Sequence, residues 1–155
     1  MLRKFFIIAI IMTLWNFSYI NNAYSAVKSV KSGKVYLKES KGFDDDLFMI
    51  SIGEKIKADC KFYIKKVFGN KAVWAGADVR NIASKNMYYM YYVAFFDKDM
   101  NLIGCSSAES ISGGLKPGEW NQLAGCLVFL PSSEFSKIKY YQIILYESGK
   151  EIGKD

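Results

Sequence analysis

Few side chains in this 155-residue sequence can do covalent or metal chemistry, and their spacing limits them further. Histidine is absent, which removes imidazole acid–base catalysis and imidazole metal ligation. Ser106, Ser107 and Ser110 therefore have no histidine to activate them, and no Gly-x-Ser-x-Gly turn surrounds a serine. Asp97, Asp99 and Asn101 have the opening spacing of a calcium loop. A full loop wants Gly at its sixth position and Glu at its twelfth, where this sequence has Leu102 and Ala108. The triplet reads as a polar hairpin turn. Asp44, Asp45 and Asp46 are adjacent, so on an extended chain they point in different directions and read as a solvated loop. Glu109, Glu119 and Glu134 are scattered, and spacing pairs no two of them as acid and base. The sequence therefore predicts no catalytic residue, no metal site and no cofactor.

Three cysteines, Cys60, Cys105 and Cys126, allow one disulfide and leave one thiol over. Cys105 and Cys126 lie equally far from the centre of the connection Gly113-Gly114-Leu115-Lys116-Pro117-Gly118, as residues facing each other on neighbouring strands would. A Cys105–Cys126 bond is the expectation. It closes a loop of about 20 residues and adds ~3 kcal/mol by loop-closure entropy. Cys60 is then a buried free thiol, or a link to another chain.

Such a bond persists only outside a reducing compartment, and the first 25 residues read as the route there. Arg3 and Lys4 form a short positive start, and residues 5–15 are apolar apart from Thr13. A polar stretch then ends in Ala23-Tyr24-Ser25, with small residues three and one before a cut ahead of Ala26. The apolar run is about 11 residues, short of the roughly 20 that span a bilayer. Residues 1–25 are thus expected to be a cleaved secretory signal, with an uncleaved anchor as the alternative. The sequence has no cysteine near the cut, which argues against a lipid anchor. The expected location is periplasmic or secreted, with no integral membrane span after cleavage.

What remains, about 130 residues, is enough for one domain with a real core. Removing Arg3 and Lys4 leaves 19 basic residues against 15 acidic ones, a net charge of +4. The lysines are spread out and read mainly as solvated strand faces and loops. Basic and aromatic residues are not interleaved as a nucleic-acid stacking groove needs, so no nucleic-acid partner is expected.

Aromatic residues make up 16% of the chain and fall in short alternating runs, which favours strands. Residues 26–40 read as a partly ordered lead-in with a short strand at Lys34-Val35-Tyr36-Leu37, and residues 47–52 as an ambiguous run that leans to strand. Residues 61–68 and 71–80 flank Gly69-Asn70, a tight-turn signal. In the second run Val73, Ala75, Ala77 and Val79 point one way and Trp74, Gly76, Asp78 and Arg80 the other. Strands follow at residues 87–96, 102–111, 121–130 and 138–146, with a loop at 131–136. Seven or eight short antiparallel strands, with turn signals about every ten residues, predict a β-sandwich. The expected organisation is a signal at 1–25, an N-terminal extension at 26–58, a sandwich at 59–148 and a tail at 149–155.

Three motifs give residues 72–146 a resemblance to the FxLYD family of bacterial, often exported, immunoglobulin-like sandwich modules. Gly76-Ala77-Asp78-Val79-Arg80-Asn81 is similar to the family's Gly-x-x-Val-x-Asn strand and turn. Val93-Ala94-Phe95-Phe96-Asp97 resembles the namesake motif, with Val93, Phe95 and Phe96 in the Phe, Leu and Tyr places. Leu115-Lys116-Pro117-Gly118-Glu119 resembles the Leu-x-Pro-Gly-Glu connection. Met100-Asn101 departs from the usual Asp/Gly turn, and two cysteines are added. The resemblance implies an immunoglobulin-like module that binds or supports and brings no catalytic residues. Chemistry agrees: Asn81 tolerates left-handed backbone and can bond its own turn, Asp97 can cap the amides after it, and Pro117-Gly118 fixes a reversal.

The run 87–96 has no charge on either face. If Met87, Tyr89, Tyr91, Val93 and Phe95 face the core, Tyr88, Met90, Tyr92, Ala94 and Phe96 face away. That second set is either covered by residues 35–52, the blander reading, or open as a docking surface. Tyr88, Met90 and Tyr92 are its candidate binding residues, because tyrosine adds contact area at low entropy cost and keeps a polar tip. The functional expectation is a non-catalytic interaction or accessory module with an envelope protein as partner. The alternatives are a small-ligand or glycan binder, or a secreted factor acting on other cells.

Overall fold

A computed structural model of the chain describes residues 26–40, 48–110, 113–122 and 126–152. The expected signal segment, Asp44–Asp46 and the last three residues lie outside these. Among the described residues there are nine strands: β1 (Val27–Lys34), β2 (Phe48–Ile52), β3 (Ile56–Val67), β4 (Asn70–Asn81), β5 (Tyr88–Phe96), β6 (Leu102–Glu109), β7 (Trp120–Gln122), β8 (Cys126–Phe129) and β9 (Tyr140–Ser148). One sheet has the order β1-β9-β5-β6. The other runs β2-β3-β4, with β7 and β8 both paired along the far side of β4. All strand pairings are antiparallel, and the two sheets make a β-sandwich.

The period-2 alternation of strands builds the core. Ile56, Ala58, Cys60 and Phe62 of β3 and Val73, Ala75, Ala77 and Val79 of β4 face inward, as the sequence predicts for β4. They meet Tyr89, Tyr91, Val93 and Phe95 of β5 and Tyr141, Ile143 and Leu145 of β9. Phe62 packs edge-on against Phe95, with centroids 5.3 Å apart, and tilts onto Tyr141 at 5.5 Å. Side chains of this size stabilise by about 1.5–3 kcal/mol each when fully buried.

Several boundaries differ from the sequence reading. The lead-in forms strand over Val27–Lys34, pairing edge to edge with β9, and residues 35–38 are not strand. The region read as one strand over 121–130 is described as β7 and β8, which pair with successive stretches of β4, Arg80 to Asp78 and Ala75 to Ala72; residues 123–125 lie outside the described ones. The loop at 131–136 contains a 3-10 turn, Ser132–Lys137, which buries Phe135.

The β3–β4 turn falls at Phe68-Gly69, one residue before the expected Gly69-Asn70, since Val67 pairs with Asn70. Moving a two-residue turn by one position shifts each partner by two. The inside–outside alternation is then unchanged, and hydrophobic pattern cannot distinguish the alternatives. Both turn residues have positive φ, 50° at Phe68 and 81° at Gly69, as a type I′ turn requires. Glycine takes that geometry freely. A residue with a Cβ loses about 1–2 kcal/mol there.

The β5–β6 turn is held by Asp97, as expected. Its Oδ1 accepts from the amides of Asp99 and Asn101, both at 2.8 Å, and its Oδ2 from Asn101 Nδ2 at 2.9 Å. These bonds, led by the Asn101 side chain, hold its carboxyl below the usual carboxylate range. Met100, at φ 63°, occupies the left-handed place that Asn or Gly would fill without strain.

Candidate functional site

Sheet register places the predicted binding residues among specific neighbours. On the outer face of the β1-β9-β5-β6 sheet, Met90 lies between Tyr146 and Glu109, Tyr92 between Ile144 and Ser107, and Ala94 between Gln142 and Cys105. Lys28 and Val30 of β1 extend the first two rows beyond Tyr146 and Ile144. Tyr92 meets Tyr146 edge-on at 6.1 Å, its hydroxyl donates to Met90 Sδ at 3.8 Å, and Lys28 Nζ stands 5.7 Å from the centre of the Tyr146 ring. Partial burial, then the nearby Tyr146 and Glu109, push the Tyr92 hydroxyl above its ordinary pKa. Tyr88 sits at one end of the face, where its ring approaches Gly114 so closely that a Cβ there would stand 3.3 Å from it.

Tyr88, Met90 and Tyr92 are half-buried, whereas Ala94 and Phe96 at the far end are buried. The blander expectation, a cover of residues 35–52, is not what forms among the described residues. Val35 is buried with its amide bonded to Lys139 O, Ser40 and Lys38 bond to Ile64 of β3, and β2 pairs with β3 in the opposite sheet. The chemistry of the tyrosine face is contact: aromatic and thioether surface with hydroxyl tips, a lysine on one margin and Glu109 on the other.

The motif residues sit elsewhere. Val93 and Phe95 are core, and Gly76 is buried opposite Lys61. Pro117-Gly118 forms a reversal in which Glu119 N donates to Lys116 O at 3.0 Å and Gly118 takes φ 75°. Asn81 is fully buried and does more than close its own turn. Its Oδ1 accepts from Ala83 N at 2.9 Å, while its Nδ2 donates to Lys85 O and to Leu115 O, each at 2.8 Å. It bonds its own turn as the sequence suggests, without using the left-handed backbone that asparagine tolerates.

Comparison with family models, with curated proteins and with solved structures gives no match. The residues therefore speak for themselves.

The expected Cys105–Cys126 disulfide is not formed: Cys105 is a free, exposed thiol. The residues lie on β6 and β8, which belong to opposite sheets and are not paired with each other, and Cys105 shares the outer face with its partner Ala94. The glycine-rich connection crosses between sheets instead of closing a hairpin. Cys60 is buried and free, as predicted, and burial pushes its thiol up to about 12 despite a bond to Tyr91. Iodoacetamide near neutral pH is therefore expected to label Cys105 and leave Cys60 unmodified until the protein is unfolded, as read by peptide mass. Rapid labelling of Cys60 in the native protein would show that this part of the core opens.

Two features escape sequence reasoning. Glu147, a buried carboxylate at the end of β9, accepts from three backbone amides of the β2–β3 turn. On the outer face of the other sheet Tyr63 stacks on Trp74 at 6.0 Å, with Lys65 Nζ 4.9 Å from the Trp74 ring centre. The expected turn at Gly69-Asn70 would set Tyr63 opposite Gly76; only the turn at Phe68-Gly69 sets it opposite Trp74. Among the described residues no group of three His, Cys, Asp or Glu is placed to hold a metal ion, and no helix is long and apolar enough to cross a membrane.

Proposed function

We propose that this chain is an exported, non-catalytic interaction module of the bacterial envelope, periplasmic or secreted, and that it docks an envelope protein on its tyrosine face. The observation that carries the reading is the half-buried aromatic cluster of Met90, Tyr92 and Tyr146 on the outer face of the β1-β9-β5-β6 sheet, which none of the described parts of residues 35–52 pairs with. An immunoglobulin-like sandwich of FxLYD type fits the placement of the motifs. Asn81 from the Gly-x-x-Val-x-Asn piece bonds Leu115, the first residue of the Leu-x-Pro-Gly-Glu piece. Val93 and Phe95 fill the core between them, and Asp97 caps the turn that follows.

Replacing Tyr88 and Tyr92 together by Ala is expected to abolish partner capture while costing only about 1–2 kcal/mol of stability, as half-buried side chains do. A photo-crosslinking residue at Tyr92, used in the native host, reads out the partner as a discrete adduct on a denaturing gel. Capture that survives the double substitution, or a much larger loss of stability, would sink the docking reading.

A further inference from the structure

The β3–β4 hairpin ends in an aromatic ring that the fold does not bury. Phe68 is 98% exposed and stands at φ 50°, a backbone state that Asn or Gly holds without strain. A Cβ built on Gly69 beside it would have nothing within 4 Å, so the tip projects clear of the body. Strain and apolar exposure both count against the folded monomer, and no contact at the ring offsets either one. Strain of this kind persists where function uses it.

The base of the tip is basic. Lys65 and Lys66 are exposed on β3, and exposed Lys38 lies alongside, its carbonyl bonded to Ile64 N at 2.8 Å. Lys71 pairs with Glu39 at 2.7 Å. Opposing charge is present in the sequence at Asp44, Asp45 and Asp46, outside the described residues.

We infer that this tip is a membrane-surface contact, with Phe68 entering the headgroup region of an anionic phospholipid bilayer while Lys65, Lys66 and Lys38 meet its phosphates. An aromatic ring seeks the apolar side of the headgroup boundary, and lysines are drawn by the negative surface potential. One ring and three lysines give reversible binding that weakens as salt rises. The tip lies on the β3–β4 hairpin, away from the tyrosine face, so the lipid contact stands or falls independently of protein docking there.

The test is co-sedimentation with vesicles of equal parts phosphatidylcholine and phosphatidylglycerol, using the protein as isolated from its host, after any processing of the leader. Wild type is expected to bind these vesicles and to leave pure phosphatidylcholine largely unbound. Phe68→Asn is expected to lower the partition coefficient about tenfold while raising the thermal midpoint by a few degrees, because Asn-Gly suits the type I′ turn. Better folding with poorer binding is a pair of results that a purely structural tip would not give. Lys65→Gln with Lys66→Gln is expected to lower binding by roughly tenfold or more and to flatten its salt dependence. Wild-type binding that ignores lipid charge, or Phe68→Asn binding equal to wild type, would overturn the assignment.

Discussion

Glu147→Ala is expected to destabilise the protein by about 3–5 kcal/mol, a large share of the 5–15 kcal/mol that holds a domain of this size folded. Glu147 is the inward-facing residue near the end of β9 and is completely buried. Its Oε1 accepts from the amides of Glu54 at 3.0 Å, Lys55 at 3.1 Å and Ile56 at 2.6 Å, and its Oε2 lies 3.3 Å from Glu54 N. The amides of the β2–β3 turn thus converge on one carboxylate, and their aligned dipoles stabilise a charge that would otherwise be costly to bury. The arrangement ties a turn of one sheet to the last strand of the other.

Removing the carboxylate strands the buried Ile56 amide, worth about 1–3 kcal/mol without a partner, unties the part-buried amides of Glu54 and Lys55, and leaves a cavity beneath the turn. Glu147→Gln keeps one carbonyl oxygen for Lys55 and Ile56, so its cost should be about half. Gly53 makes the same point from the turn side. At φ 104°, a Cβ there would collide with Ile56 O and stand 2.9 Å from Glu147 Oε1. Urea midpoints of the three variants, Glu147→Ala, Glu147→Gln and Gly53→Ala, decide the matter. A loss below about 1 kcal/mol for Glu147→Ala would mean that water substitutes for the carboxylate and that the turn is held by packing alone.

These two residues also mark the limit of what sequence could show. Alternation over β4 and β5 was legible because one face of each strand is buried, and Val73 to Val79 and Tyr89 to Phe95 point inward as read. The Asp97 cap was legible because its partners lie within four residues. Glu147 was not, because the amides it serves are more than 90 residues away and its local context is an ordinary polar strand end. β1 gave little signal for a related reason. As an edge strand with polar residues on both faces it has no period to detect, and only pairing with β9 defines it. The cysteine pairing failed because symmetric spacing about a connection implies neighbouring strands only when that connection is a hairpin, and here it passes from one sheet to the other. For the tyrosine face, sequence gave the two alternating sets. Whether the second set was covered depended on where residues 35–52 travel, which is a matter of tertiary pairing.

Asn81→Ala is expected to cost about 2–4 kcal/mol and to impair partner capture by a route that stability alone does not explain. The side chain satisfies Ala83 N, Lys85 O and Leu115 O, and its main chain exchanges bonds with the next turn through Glu119 O at 2.9 Å and Gly118 N at 3.0 Å. Leu115 in turn exchanges bonds with Met87, at 3.0 and 2.8 Å, immediately before the tyrosine strand begins. Asn81 therefore holds the connection against which Tyr88 rests, at the end of the tyrosine face. Asn81→Asp separates shape from hydrogen bonding. It keeps an acceptor for Ala83 N but turns an oxygen toward two carbonyl oxygens, so it should be at least as damaging as Ala despite its near-identical volume. Hydrogen exchange gives the local readout: protection should fall first at the amides of Met87 and Leu115, while the β3–β4 amides stay protected up to global unfolding. Uniform loss of protection would make Asn81 one more core residue. Selective loss, together with weaker capture at Tyr92 under conditions where the protein remains folded, would make it the residue that positions the tyrosine face.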